Sequence, residues 1–140
     1  MTYTNPFFDF DAQKLMADFK LPNVDSGAVI DLFQRNVEAV VNANQTAFAG
    51  FQAISQRQGE LVSKTVETSS KSIQDVMATE ALEERLAKQT AFIKDSYAEA
   101  VSNAKELSDM MATASGDALD IISKRATATL DEVTTIITKK

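Results

Sequence analysis

The sequence predicts an all-α protein, built from long amphipathic helices that form a helical bundle or a coiled-coil-like oligomer. Three observations lead to this prediction. Both prolines lie within the first 22 residues, so no proline interrupts a helix after them. Ala, Glu, Gln, Lys, Ser and Thr dominate the rest of the chain, a composition typical of long helices. In the first long segment, charged and large apolar residues segregate to opposite sides of a helix.

Residues 1–25 are predicted to form a mobile N-terminal arm that is rich in aromatic side chains. Seven of the ten aromatic residues fall within the first 48 positions, and Pro6 and Pro22 bracket the arm. Because chain termini are usually polar, the arm is expected either to fold back and cap the helices or to anchor the chain on an apolar surface. The side chains that would do this are Phe7, Phe8, Phe10 and Phe19.

Residues 26–140 are predicted to form a single helical domain, with one helix of about 50 residues followed by two shorter ones. Ser26 is expected to cap the first helix and Thr79 the second. The sequence ASGD at 114–117 is expected to break the chain before a third helix. The three helices are expected at about 26–77, 80–113 and 116–138.

The first helix carries a wide apolar surface. Its nine charged residues fall within an arc of about 100° when the sequence is wound at 100° per residue. The large apolar residues occupy the opposite half, and this half is the candidate surface for binding a partner. It contains Val29, Phe33, Val37, Val40, Phe48, Phe51, Ile54, Leu61, Val62 and Val66.

Apolar residues of this helix recur every eleven positions. Eleven residues make three turns at 3.67 residues per turn, close to the natural period of an α-helix, so the apolar stripe runs almost straight. Such a stripe suits a flat surface or a loose bundle better than a two-stranded zipper. The row is Val29, Val40, Phe51, Val62 and Ile73, and the second half of the chain repeats the spacing more weakly in Leu86, Tyr97, Leu119 and Leu130.

The composition excludes most chemistry. The chain has no Cys and no His, which removes disulfides, thiolate nucleophiles, imidazole bases and nearly all zinc sites. No phosphate-binding loop or nucleophile motif is found, so neither an enzyme nor a cofactor is expected. With a net charge of −6 and no basic cluster, nucleic acid is not an expected partner. The uncharged stretch 39–56 is too polar for transmembrane insertion, and the first 25 residues do not resemble a signal peptide.

The function must therefore reside in the apolar surface, which is too large to be left in water. Three kinds of surface could cover it: the second half of the same chain, other copies of the chain, or an apolar surface that is not protein.

The ordered run of residues resembles the phasin family, small proteins that coat polyhydroxyalkanoate storage granules in bacteria. The resemblance covers about residues 5–113 and is carried by the Phe-rich opening NPFFDFDAQKLMADFKLP and by Asp31-Leu32-Phe33. It continues through EAVVNANQTAFAGFQAISQRQ and AKQTAFIKDSYAEAVSNAKELSDM.

This resemblance implies a non-enzymatic homo-oligomer on the surface of polyester (polyhydroxybutyrate) granules in the cytoplasm. The first helix would lay its apolar half on the polymer, limit coalescence of granules and modulate polymer synthesis or depolymerisation. A granule synthase or depolymerase is then a further candidate partner. The alternative from another class is a cytosolic helical adaptor or chaperone-like oligomer that binds only proteins.

Overall fold

The computed structural model describes residues 24–139, and this part of the chain forms two long helices. Helix α1 spans Ser26–Ala78 and helix α2 spans Leu82–Thr138, with no strand within the described range. The prediction of an all-α fold is confirmed. The arm predicted at residues 1–25, with Phe7, Phe8, Phe10 and Phe19, lies outside the described residues but for its last two positions.

The first helix is capped by Asp25 and not by Ser26, so the predicted cap is wrong by one residue. The Asp25 carboxylate accepts hydrogen bonds from the backbone N–H groups of Gly27 (2.9 Å) and Ala28 (3.4 Å). The Asp25 carbonyl accepts from the N–H of Val29 at 3.2 Å. Both Asp and Ser are strong capping residues, and the carboxylate also carries the charge that a helix N-terminus favours.

The reversal predicted near Ala78 is confirmed, but Thr79 has a different role from the predicted one. Its hydroxyl donates to the carbonyl of Asp75 at 2.8 Å, so it closes the end of α1 and does not start α2. Its own carbonyl accepts two hydrogen bonds from the Arg85 guanidinium, at 3.1 and 2.7 Å. The first turn of α2 instead closes on the carbonyl of Ala81, which accepts from the N–H of Arg85 at 2.9 Å. Thr79 is thereby buried in the turn.

The predicted break at 114–117 is absent, so the second and third predicted helices are one helix, α2. Gly116 lies in the interior of α2, with open space around the position of a Cβ atom. A single glycine costs a helix only about 1 kcal/mol relative to alanine, which is too little to end it. The eleven-residue spacing from Met111 to Ile122 crosses this glycine without interruption.

The described residues divide into two compact units, and each pairs a piece of α1 with a piece of α2. The central unit is Ala43–Leu119 and includes the turn between the helices; the terminal unit comprises residues 24–42 and 120–139. The two pieces run antiparallel in the central unit. Along the ion pairs that join them, the residue numbers on α2 decrease as those on α1 increase. The ion pairs that show this are Arg57–Glu106 (2.7 Å), Lys64–Glu99 (3.0 Å) and Asp75–Lys88 (3.3 Å).

The stripe along which the two helices of the central unit meet, here named the seam, is made largely of small and polar residues. The two helices come close together at Gly50, where an added Cβ atom would overlap the Cβ atom of Ala114. Its large apolar residues are the buried Leu61 and the half-buried Ile54, Val76, Phe92, Leu107 and Met110. The small and polar residues that are buried or half-buried include Ala43, Thr46, Arg57, Glu99, Asn103 and Glu106.

The terminal unit is joined by a polar network as well. The amide oxygen of Asn36 on α1 accepts hydrogen bonds from Arg125 (2.6 Å) and Thr129 (2.7 Å) on α2. Glu132 binds Arg125 on its own helix at 2.7 Å and Arg35 on α1 at 3.0 Å. Small and polar contacts therefore hold the helices together in this unit too.

Candidate functional site

The large apolar side chains of α1 are left exposed, because the seam uses a different stripe of the helix. Phe51 is 64% exposed and Val62 is 59% exposed, whereas Leu61 is only 6% exposed. The second half of the chain, which was one of three candidates for covering the apolar surface, therefore leaves most of it open in the described residues.

The residues predicted for the binding surface fall into three groups. Leu61 is buried in the seam, and Val29, Val37 and Ile54 are half-buried. The others within the described range are exposed: Phe33, Val40, Phe48, Phe51, Val62 and Val66.

Helix α2 contributes a second set of exposed apolar side chains, which the sequence-based candidate list did not include. They recur at the same eleven-residue spacing, as from Leu82 to Ile93 and from Leu86 to Tyr97. The eleven-residue spacing could have identified these residues from the sequence. The many Ala and Ser residues between them made the apolar pattern of α2 weaker than that of α1. The exposed apolar residues of α2 in the central unit are Leu82, Leu86, Ile93, Tyr97, Val101, Met111 and Leu119.

The cross-helix ion pairs of the central unit all lie along one border of the seam, here named the charged edge. Arg57 donates to both oxygens of Glu106, at 2.7 and 3.2 Å, and also binds Glu60 at 3.0 Å. These hydrogen bonds hold the pKa of the Glu106 carboxyl below its ordinary value. In the terminal unit, the hydrogen bonds from Arg125 lower the pKa of Glu132 in the same way.

Most exposed apolar residues of the central unit lie on one side of the seam, and the charged edge lies on the other side. On α1, Val62 is turned about 100° from the seam residue Leu61, and on α2, Ile93 is turned about 100° from the seam residue Phe92. On both helices the residues of the charged edge are turned away from the seam in the opposite direction to these apolar residues. Since the ion pairs join the two charged edges, the two apolar rows share the remaining side of the pair. We name this surface of the central unit the apolar face; it comprises Phe48, Phe51, Val62, Val66, Ile73 and Met77 of α1 and Leu82, Leu86, Ile93, Tyr97, Met111 and Leu119 of α2. Val101 is exposed as well, but it lies two positions from the seam residues Glu99 and Asn103 and therefore points away from α1.

Within 24–139 no group of three or more acidic side chains is placed to hold a metal ion. Neither α1 nor α2 contains an apolar stretch long enough to cross a membrane.

Comparison with known protein families identifies the chain. The sequence model described as "Phasin protein" matches residues 28–126, which is more than two thirds of the chain. The chain belongs to the phasin family. The match covers most of α1 and the larger part of α2, so it includes the whole apolar face of this phasin. Neither the comparison with curated proteins nor the one with solved structures gave a match.

Phasins are non-catalytic proteins of polyhydroxyalkanoate granule surfaces. Membership of this family implies granule association for the chain. It also gives a context for the apolar face, since a protein of a polyester surface must meet apolar material on one side and water on the other.

Proposed function

We propose that this phasin is a non-enzymatic coat protein that adsorbs to polyhydroxyalkanoate granules through its apolar face. The observation that carries the proposal is the exposure of large apolar side chains on one side of each helix, opposite the charged side. Fully burying one such side chain is worth about 1.5–3 kcal/mol. A patch of this extent is typical of an interaction surface and not of a protein that stays free in water.

The opposite side of the molecule suits contact with water. The charged edge presents Arg57, Glu60 and Lys64 of α1, each at least a third exposed. The chain as a whole carries a net charge of −6. Granules coated by such a layer repel one another electrostatically, which limits their coalescence. The charged edge is also the surface left available to a second protein, such as a granule synthase or depolymerase.

The granule-binding role is tested by placing charges on the apolar face. Phe51→Asp combined with Val62→Asp removes two exposed side chains that lie eleven residues apart in one row. Each contributes about 2 kcal/mol when buried, so we expect adsorption to polyhydroxybutyrate particles to fall by roughly tenfold or more. Adsorption is measured as the fraction of protein that sediments with the particles over a range of polymer surface area.

A matched control places the same charges on the polar side of α1, about 120° around the helix from the row of Phe51 and Val62. Gln45→Asp combined with Gln56→Asp has the same eleven-residue spacing, in the row that also holds Glu67. We expect this variant to adsorb like the native protein. Equal adsorption of both double variants, or no adsorption of the native protein to the particles, would contradict the proposed function.

A further inference from the structure

We propose that the central unit adsorbs as a closed pair of helices, with α2 supplying about half of the contact surface and the seam remaining shut. This inference rests on the proposed function and concerns how the same face is used. The occupant is a flat apolar surface, because the two rows together make a strip that is two helices wide.

The register of the ion pairs places the exposed apolar residues of the two helices side by side. Since Arg57 is level with Glu106 and Lys64 with Glu99, Val66 of α1 is level with Tyr97 of α2, and Met77 with Leu86. By the same register, Phe51 lies within one residue of the level of Met111. All six of these side chains are more than half exposed.

The eleven-residue spacing keeps this strip flat. A row that repeats every eleven residues stays nearly parallel to the helix axis, as Phe51, Val62 and Ile73 do on α1. A heptad row would turn toward the other helix and leave the face. Two nearly straight rows therefore offer a planar contact, which fits the surface of a polymer particle much wider than the protein.

Opening the seam would add less apolar surface than the closed pair already presents, and it would uncover charges. Of the large apolar side chains at the seam only Leu61 is buried, and five more are half-buried: Ile54, Val76, Phe92, Leu107 and Met110. Separation would break the contacts between Arg57 and Glu106 and between Lys88 and Asp75, and the freed charges would then lie close to apolar polymer. Because both apolar rows are already presented by the closed pair, adsorption does not need the helices to part.

The first test holds the seam shut covalently. The native chain has no cysteine, so Arg57→Cys with Glu106→Cys provides two unique thiols on the charged edge, away from the apolar face. Linking them with a short bis-maleimide ties the helices together. The same variant with both thiols capped by a mono-maleimide is the control, and circular dichroism checks that both forms are helical.

We expect the linked and the capped proteins to adsorb to polyhydroxybutyrate particles within about twofold of each other. A loss of tenfold or more in the linked form alone would show that the helices must part, and would overturn the inference while leaving the proposed function intact. Failure of the native protein to adsorb would overturn the proposed function, and this inference with it.

The second test asks whether α2 contributes to the contact. Leu86→Asp combined with Tyr97→Asp changes one exposed row of α2, and Ser102→Asp combined with Thr113→Asp places equal charges at exposed positions on its charged side. We expect the first variant to lose at least tenfold in adsorption and the second to adsorb like the native protein. If Leu86→Asp with Tyr97→Asp adsorbs normally while Phe51→Asp with Val62→Asp does not, α1 acts alone and the inference is wrong.

Discussion

At the scale of single residues, two glycines of α1 have opposite roles although both lie in the interior of the same helix. Gly50 faces α2, and a Cβ atom there would overlap Ala114, so the helices can approach closely only because this side chain is absent. Gly59 has open space where its Cβ atom would be. The first glycine is needed for packing, whereas the second only weakens the helix.

We therefore expect Gly59→Ala to stabilise the protein by about 0.5–1 kcal/mol, through helix propensity alone. Gly50→Ala gains the same propensity but must push the helices apart at Ala114, so we expect a lower midpoint of thermal unfolding. Thermal unfolding followed by circular dichroism measures both. The double variant Gly50→Ala with Ala114→Gly moves the small residue to the other helix and should recover most of the loss. A Gly50→Ala protein as stable as Gly59→Ala would show that the close approach at Gly50 is absent.

At the scale of the elements, the pairing of α1 with α2 depends on side chains that sequence patterns give little weight. The exposed rows consist of large apolar residues such as Phe, Val and Leu, so the hydrophobic pattern of the sequence predicts them. The seam is made mainly of Ala, Gly, Thr, Asn and charged residues, which also occur on solvated helix surfaces. The hydrophobic pattern therefore does not predict which side of each helix faces the other helix.

The exact ends of the helices were also not predictable from the sequence alone. Asp25 and Ser26 are adjacent residues of equal capping tendency, so only the hydrogen bonds decide between them. Thr79 fits a cap by its residue type, yet its hydroxyl closes α1 instead. At Gly116, the continuous spacing of apolar residues outweighs the local signal for a break. The sequence did predict the helical class, the reversal near Ala78 and the apolar row of α1, since these depend on long periodic stretches.

The ion pairs of Glu106 in the central unit and of Glu132 in the terminal unit predict a dependence of stability on pH. Hydrogen bonds from Arg57 hold the pKa of Glu106 below its ordinary value, and Lys64 adds attraction; Arg125 and Arg35 act likewise on Glu132. A carboxyl whose pKa is lower in the folded state stabilises the fold above its unfolded pKa of about 4.3, and this stabilisation is lost as the pH falls through the folded pKa.

We expect the midpoint of thermal unfolding to fall between pH 6 and pH 3 in the native protein, and to fall less in Glu106→Gln combined with Glu132→Gln. The comparison between the two proteins matters, because protonating other carboxylates also relieves the repulsion that comes from the net charge of −6. The measurement is circular dichroism at a series of pH values at constant ionic strength. Identical pH profiles for the two proteins would show that these ion pairs contribute nothing to the pairing of the helices.

At the scale of the whole molecule, most of the large apolar side chains within the described residues are exposed and few lie in a core. Within residues 24–139 only Ala39, Ala43 and Leu61 are buried apolar residues. Twenty large apolar side chains in the same range are exposed. A chain with so small a core and so large an exposed apolar surface is suited to gain stability at an interface, which agrees with its membership of the phasin family.

The most direct test of the granule-coating account is a map of which residues are covered by polymer. Because the native chain has no cysteine, single variants place one thiol each: Val62→Cys and Ile93→Cys on the apolar face, and Gln56→Cys and Ser102→Cys on the charged side. The rate of maleimide labelling is measured in solution and after adsorption to polyhydroxybutyrate particles.

We expect adsorption to slow labelling at positions 62 and 93 by tenfold or more, and to leave positions 56 and 102 reacting at their rates in solution. The account would be contradicted if the apolar positions stayed reactive on the particles, or if the charged positions became the protected ones.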